Sequence, residues 1–232
     1  MHLKILIFIL SFSQTLSLSA SLSQESLRPY RNEYFVETGA HYGAGLLVAL
    51  QSGFRYLRSV EVDPQYFQAA QELLKRYRNV KLWYGSSSTL LWEMIQDIEK
   101  PITFFLDAHR FPPLDDGRKN CPLLEELEQI KRHPIKTHTI LIDDISCCGQ
   151  LSFDYLTKED LIVKLLEINP NYQIFYIAGG WENEVPDNIL VATPPNHRRR
   201  YTQRDSKFGN LAKSAAKISI RPKAGARGAP YL

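Results

Sequence analysis

The stretch that decides the fold is YFVETGAHYGAG, residues 34–45. It opens with the apolar run Tyr34 to Val36, passes through the acidic Glu37, and continues into a glycine-rich turn and an apolar helical pattern. Glycine allows a tight turn and the close approach of a ligand, and a helix N-terminus offers unpaired N–H groups. The stretch predicts a strand, a turn and a helix start of the kind that holds nucleotides. Many strand-to-helix turns carry glycine, so this stretch alone does not identify a nucleotide site, and the rest of the sequence is needed as evidence.

The composition predicts one soluble α/β domain with additional tails. The 232 residues are 44% hydrophobic and 23% charged, as in ordinary globular proteins. The net charge of +3 averages two unlike regions: residues 197–232 hold ten of the 28 basic residues and one of the 25 acidic ones, so 18 basic and 24 acidic residues remain in the body. We expect residues 197–232 to be a disordered, solvated tail that binds no specific nucleic acid sequence; a contact with anionic surfaces is the alternative.

The N-terminus has the layout of a targeting segment. Lys4 precedes the apolar run Ile5 to Leu10, and small residues follow around Ser17 to Ser21. This order predicts a cleavable signal peptide, with an uncleaved leader as the alternative, and assigns residues 1–28 to it. A cleaved leader would make the protein secreted or periplasmic; otherwise we expect it in the cytoplasm.

The three cysteines show no metal-type spacing. Cys147 and Cys148 are adjacent and Cys121 is distant, so free thiols are expected. A bridge from Cys121 to either of the others stays open in an oxidising compartment.

Strand and helix patterns alternate five times between residues 29 and 196, which predicts a parallel, doubly wound sheet. Two last strands around a Gly-Gly-Trp turn predict a closing antiparallel hairpin. Such sheets bind ligands at the carboxyl ends of their strands. The predicted strand ends carry Glu37, Glu61, Ser86, Asp107, Asp143 and Asp144.

These residues resemble the class I S-adenosylmethionine-dependent methyltransferases, and among them the small O-methyltransferases of the catechol type. The resemblance covers Tyr34 to Thr193 and implies a Rossmann-like, seven-stranded sheet that is mostly parallel and closed by an antiparallel strand. It implies that the acid and glycines of the first turn lie against the methionine part of the cofactor, that the acid after strand two binds the ribose, and that the serines after strand three border the adenine. The residues in those positions are Glu37, Gly39, Gly43, Glu61, Ser86 and Ser87.

The resemblance also implies a magnesium site. Asp107 after strand four and the pair Asp143 and Asp144 after strand five match the positions that hold Mg²⁺ in catechol-type enzymes. Without a metal, Asp107 would instead contact the cofactor's amino group or the substrate. The catechol enzymes have a lysine base after the strand-four acid, whereas this chain has His109 near that position. Two roles are expected as alternatives for His109: a general base, or a residue that only forms hydrogen bonds.

The leading hypothesis from the sequence is therefore methyl transfer to an oxygen of a small molecule, a sugar or a phenol. The alternatives are a non-catalytic binding module on the same fold and a hydroxylase-like metal enzyme. His41 and Tyr42 are candidates for the substrate side of the cleft, and Trp181 and Glu182 for its overhang. A secreted location conflicts with a cofactor that is made in the cytoplasm, and the sequence does not resolve this conflict.

Overall fold

Strands and helices alternate along residues 21–180 and 185–195, the part of the chain that the computed structural model describes. The strands are β1 Tyr34–Thr38, β2 Tyr56–Glu61, β3 Val80–Tyr84, β4 Ile102–Leu106, β5 Thr139–Ile142, β6 Gln173–Gly179 and β7 Val185–Thr193. The helices are α1 Gln24–Leu27, α2 Ala44–Gln51, α3 Pro64–Leu74, α4 Ser87–Ile95, α5 Leu123–Arg132 and α6 Lys158–Ile168. Thr157 and Asp160 form a reciprocal capping box at the start of α6.

The seven strands form one sheet in the order β3-β2-β1-β4-β5-β7-β6. The first five are parallel, and β7 runs antiparallel to both β5 and β6. The predicted doubly wound sheet with a closing antiparallel strand is confirmed. The chain leaves β1 in one direction to reach β2 and β3 and then returns to its other side with β4, so the ligand crevice of such a sheet is expected between β1 and β4.

Both faces of the sheet are covered by helices. Alternate residues point to opposite faces, as shown by Phe35 and Val36, which belong to different core clusters. One cluster joins the sheet to α4, α5 and α6, and the other joins it to α1, α2 and α3. Because β4 and β5 are buried on both faces, their sequences are almost wholly apolar, and the polar residues stand at their ends.

The packed part of the chain begins before residue 29. Leu22 and Leu27 are buried in the cluster beneath α2, and the Ser23 and Ser26 side chains cap α1. The predicted leader boundary after residue 28 therefore falls inside the folded unit. Residues 1–20 and the basic tail 197–232 lie outside the described residues, as do Trp181 and Glu182, so those predictions stay predictions.

The three cysteines are free thiols, and burial raises the pKa of Cys121 to about 12. Among the residues that the structure describes, no helix has the length and apolar character needed to cross a membrane.

A pair of buried histidines joins β4 to the end of α5, away from the strand ends that carry the acids. The backbone N–H of Ile102 donates to Nδ1 of His138 over 3.0 Å, so the proton of this neutral ring lies on Nε2. That nitrogen donates to Nδ1 of His133 over 3.1 Å, and Nε2 of His133 in turn donates to the carbonyl of Ile95 over 3.2 Å. Burial, followed by the charges of His133 and Lys136, lowers the pKa of His138 to about 3.

This pair should make a destabilising contribution in mild acid. Below the ordinary histidine pKa near 6.5 the unfolded chain binds a proton at His138 that the folded chain does not bind, so the contribution of His138 to the free energy of unfolding falls as the pH drops from about 6.5 toward 3. By about pH 5 the loss is about 2 kcal/mol. Urea unfolding of the wild type and of His138→Asn, each at neutral and mildly acidic pH, measures it. An equal pH dependence in the two proteins would contradict this assignment.

Candidate active site

The glycine turn places a buried carboxylate at the start of the cleft. Glu37, near the end of β1, is 2% exposed and accepts a hydrogen bond from the Ser59 hydroxyl over 2.9 Å. Burial raises the pKa of Glu37 to about 8; the charge of Glu61 adds to this rise and the bond from Ser59 opposes it. A Cβ at Gly45 would lie 2.0 Å from the Glu37 carboxylate, so only glycine lets the first turn of α2 approach this acid.

The same turn meets the end of β4. Gly39 has φ +81°, and a Cβ there would lie 2.7 Å from the backbone carbonyl oxygen of Asp107. Gly43 is the N-cap of α2 with φ 85°, also in the left-handed region that favours glycine. The turn therefore brings Glu37 and Asp107 to the same cleft, as the sequence predicted.

Replacing Gly39 by alanine should cost stability because of this close approach. Gly117 offers a matched control: it has φ +78°, and no atom lies within 4 Å of the position of its absent Cβ. Gly117→Ala should lose only the left-handed strain, about 1 kcal/mol, whereas Gly39→Ala should lose at least about twice that. Urea unfolding of both variants tests the difference, and equal losses would show that Gly39 is not constrained by β4.

Glu61, at the end of β2, ties two loops together. Its Oε2 accepts the backbone N–H of His41 over 2.7 Å, and its Oε1 accepts that of Asp63 over 2.8 Å. His41 has φ 47°, and its ring packs against the rings of Tyr42 and Tyr66 at centroid distances of 4.5 and 4.1 Å. The predicted ribose acid thus holds the glycine turn to the start of α3, and His41 and Tyr42 form the rim beside it.

The serine turn lies on the other side of Glu61, whose carbonyl accepts the backbone N–H of Gly85 over 2.8 Å. Ser86 is the N-cap residue of α4, but its hydroxyl pairs with that of Ser88 at 2.7 Å instead of capping the helix. Ser87 is buried and faces α5. Val62, directly after Glu61, is 62% exposed and offers an apolar surface that the sequence reading did not single out.

The acids that follow β4 and β5 lie together. Asp107 is partly exposed, and burial of its carboxylate, followed by the charges of Asp143 and Asp144, raises its pKa well above the ordinary value. Asp143 is 1% exposed, and burial and the charge of Asp144 raise its pKa to about 7. Its Oδ1 accepts the backbone N–H of Asp144, and its Oδ2 has no hydrogen-bond partner among the described residues; the Ser21 hydroxyl is near without completing a bond. One oxygen of this buried carboxylate therefore lacks a partner, and a bound cation or a proton would neutralise the charge.

Asp144 is fixed by a residue that the sequence reading missed. Its backbone has φ 51°, and its Oδ1 accepts a hydrogen bond from Nδ2 of Asn188 over 2.9 Å. Asn188 lies on β7 and also accepts the backbone N–H of Ser146 over 3.1 Å. Its place directly before the apolar run Ile189 to Ala192 was the available signal.

His109 lies between two of these acids. Its Nδ1 is 3.5 Å from Asp107 Oδ1 and its Nε2 is 3.4 Å from Asp144 Oδ2. Burial lowers the pKa of His109, and the charge of Asp144 opposes this. One ligand atom from each of Asp107, His109 and Asp144 fits within 4.8 Å of the others, a spacing that suits one metal ion. The structure thus brings Asp107 and Asp144 of the predicted metal set together with His109, whereas Asp143 lies outside this group.

A cleft lined by Glu37 and Asp107 has a volume of about 470 Å³ including its open mouth. The glycine turn and the end of β4 form one wall, and the N-terminal segment forms another. Ser21 is held there by its carbonyl, which accepts the backbone N–H of Gly180 over 3.1 Å. The lining residues from the N-terminal segment, Ser21, Leu22 and Leu27, were assigned to the leader from the sequence and so were missed.

The loop between β4 and α5 is pinned at its end. The carboxylate of Asp154 accepts the backbone N–H groups of Asn120 and Cys121 over 3.0 to 3.1 Å. The Asn120 side chain in turn bonds to both backbone groups of Leu114. Phe111, two residues after His109, is 84% exposed. The loop is ordered by its own polar contacts and presents an aromatic ring next to the histidine.

Comparison with known proteins yields structural similarity only. No protein-family model matches the sequence, and no curated protein matches it significantly. A protein from Clostridium thermocellum that is provisionally assigned as an rRNA methylase superimposes with a TM-score of 0.51 over 74% of this chain and 94% of its own, at 13% identity. An O-methyltransferase from Bacillus cereus in complex with SAH covers 73% of this chain and 78% of its own, with a TM-score of 0.48 and 11% identity. An SAH-bound methyltransferase from Podospora anserina covers 75% and 76%, with a TM-score of 0.48 and 16% identity.

The observed strand order inserts β7 antiparallel between β5 and β6. The chain has the class I methyltransferase fold. At 13% identity the similarity establishes the fold, and the chemistry has to be argued from the residues at the strand ends. In this fold the carboxyl ends of the parallel strands face the ligand, and Glu37, Glu61, Asp107, Asp143 and Asp144 lie at those ends.

Proposed function

We propose that the protein transfers a methyl group from S-adenosylmethionine to an oxygen of a small-molecule acceptor, with a divalent metal ion assisting. One observation carries this proposal: the glycine turn brings Glu37 and Asp107 to one cleft at the switch point of a class I methyltransferase fold, and Glu61 accepts the backbone N–H of His41 in that turn. The cofactor brings a sulfonium and an ammonium group, and a positive charge beside Glu37 and Asp107 would favour the charged forms of these carboxylates, which burial disfavours.

Glu61 keeps the capacity to bind the ribose. Each carboxylate oxygen offers two lone pairs, and each oxygen of Glu61 uses one of them for a backbone N–H. The remaining lone pairs can accept the two ribose hydroxyls. In this arrangement Val62 lies against the adenine, and Ser86 and Ser87 lie at its edge. Glu37, Gly39 and Gly43 line the methionine end.

The residues at the ends of β4 and β5 fit a divalent metal ion. Asp107 and Asp144 lie close enough to share one ion, and the neighbouring Asp143 has a buried oxygen without a hydrogen-bond partner among the described residues. Carboxylate oxygens suit Mg²⁺, and an added imidazole also suits Mn²⁺ and other first-row ions. When bound, the ion would orient the acceptor hydroxyl and lower its pKa.

The chain's own residues would supply alignment and proton transfer. Asp107 lies between the cofactor cleft and the metal acids, so it fixes where the acceptor oxygen meets the methyl group. His109 is the nearest imidazole and has a lowered pKa, so at neutral pH it holds no second proton and can accept one. Both of its nitrogens face carboxylates, so Nε2 could receive the acceptor's proton once the Asp144 side chain has turned away from it.

The test is turnover by the full chain with a panel of neutral polyols and phenols. The proposal expects S-adenosylhomocysteine to form only when an acceptor and Mg²⁺ or Mn²⁺ are present, and to stop on chelation. Asp107→Asn should lower the rate by at least about 100-fold, because it removes a charge at the reacting centre. Asp115→Asn, on the exposed part of the loop, is the control and should leave the rate unchanged. Binding of the cofactor without transfer to any acceptor would favour the non-catalytic alternative.

A further inference from the structure

Helix α5 carries two polar side chains on its buried face. Glu126 is 0% exposed and Gln129 is 8% exposed, and they are three residues apart, so they lie on one side of the helix. Their neighbours on that side are Leu123, Leu127 and Ile130, which belong to the apolar core. A buried carboxylate and a buried amide cost stability unless they are well bonded, so their contacts are informative.

Gln129 is bonded to the first turn of α4. Its Nε2 donates to the carbonyl of Ser88 over 2.9 Å and to that of Ser87 over 3.3 Å, and its Oε1 accepts the backbone N–H of Trp92 over 2.7 Å. Ser88 and Trp92 are four residues apart, the spacing of a helical hydrogen bond. The amide of Gln129 thus bridges the two backbone groups of one helical turn and fixes the serine turn to α5.

The Glu126 side chain lies near two segments that border the cleft, the serine turn and the end of β1. The hydroxyls of Ser87 and Thr38 are its polar neighbours, although neither meets the geometry of a full hydrogen bond. The Thr38 hydroxyl also accepts the backbone N–H of Asp107 over 3.3 Å, which leaves its own proton available for Glu126. Burial raises the pKa of Glu126 to about 7, and the two hydroxyls oppose that rise.

We infer that Glu126 and Gln129 are positioning residues that fix the serine turn, Ser86 to Ser88, relative to the wall formed by Glu37 and Asp107. Glu126 lies beside the hydroxyls of both Ser87 and Thr38, and the Thr38 hydroxyl bonds to the backbone of Asp107. Gln129 holds the serine turn from its other end. On the proposed function, on which this inference rests, these walls receive the adenine and methionine ends of one cofactor. The spacing set by α5 therefore determines whether the cofactor meets both walls at once.

The test compares S-adenosylhomocysteine affinity with thermal stability in variants of the full chain. Glu126→Leu removes the buried acid and fills the site, so it should keep or raise the melting temperature while weakening binding by about tenfold or more. Glu126→Gln keeps a polar group and should bind within about threefold of the wild type. Gln129→Leu should also weaken binding by about tenfold. Glu125→Gln, at the adjacent position that pairs with Lys119 at the surface, is the matched control and should bind like the wild type.

Each outcome is decisive. Wild-type affinity in Glu126→Leu and Gln129→Leu would overturn the inference, and so would equal losses of affinity and stability in Glu126→Leu and Glu126→Gln. If Glu126→Leu does not fold, Gln129→Leu carries the same comparison. If the wild type itself does not bind, the proposed function fails, and that result is separate from any difference among the variants.

Discussion

Replacing Glu61 by alanine is expected to weaken the binding of S-adenosylhomocysteine by about 100-fold, or about 2.7 kcal/mol. The substitution removes the carboxylate that can accept the ribose hydroxyls, and hydrogen bonds to a charged group are each worth about 1.5–3 kcal/mol. It also releases the backbone N–H groups of His41 and Asp63, which the carboxylate holds at 2.7 and 2.8 Å. Both effects act on binding in the same direction.

Two further variants separate these effects from a general loss of structure. Glu61→Gln keeps the shape of the side chain, but its single oxygen can hold only one of the two loops well, so its affinity should lie between those of the alanine variant and the wild type. Glu72→Ala removes an exposed acid of α3 that pairs with Lys75, and it should leave affinity unchanged. Calorimetric titration measures all three, and wild-type affinity in Glu61→Ala would refute the ribose role.

Replacing Asp143 by asparagine is expected to weaken Mn²⁺ binding by about 100-fold and to stabilise the metal-free protein at alkaline pH. Asp143 is 1% exposed with one unpartnered oxygen, so its charge is tolerated only when a cation is near. With a pKa raised to about 7, the folded protein keeps a proton here that the unfolded chain has already lost. Stability should therefore fall as the pH rises from about 4 to 7, and Mn²⁺ should restore it.

The asparagine variant lacks this titration, so its stability should fall less than that of the wild type over this pH range, in which Glu37 and Glu126 still titrate, and it should not respond to Mn²⁺. Asp115→Asn in the exposed loop is the control for a general change of charge. Mn²⁺ binding can be followed by the electron paramagnetic resonance signal of the free ion and stability by thermal unfolding. Unchanged Mn²⁺ affinity in Asp143→Asn would show that Asp143 does not hold the ion, and it would contradict the proposed metal site.

The sheet could be predicted in detail because each strand is bounded by residues with a clear physical meaning. Ile102–Leu106 and Thr139–Ile142 are apolar runs closed by aspartates, and the structure gives both strands these limits. The gathering of Glu37, Asp107, Asp143 and Asp144 followed from the same logic, because parallel strands end at one edge.

The rest depended on contacts that periodicity does not reveal. Residues 21–27 continue a Ser/Leu-rich stretch typical of a leader, and only the buried positions of Leu22 and Leu27 show that they belong to the domain. Glu126 lies in a strongly charged helix sequence, LLEELEQIKR, and reads as a surface residue. Its spacing of three and four residues from Leu123 and Ile130 was the signal that it faces the core. The position of His109 between two carboxylates comes from loop geometry, which short sequence patterns do not determine.

The central claim is that the cleft between β1 and β4 binds S-adenosylmethionine, and calorimetric titration of the full chain with S-adenosylhomocysteine tests it most directly. The full chain is required, since a fragment starting at residue 29 would lose Leu22 and Leu27 from the core. The account predicts saturable binding at one site, which Glu61→Ala weakens and the control Glu72→Ala does not. A folded wild-type protein that binds neither S-adenosylhomocysteine nor S-adenosylmethionine would contradict the account and leave only the fold.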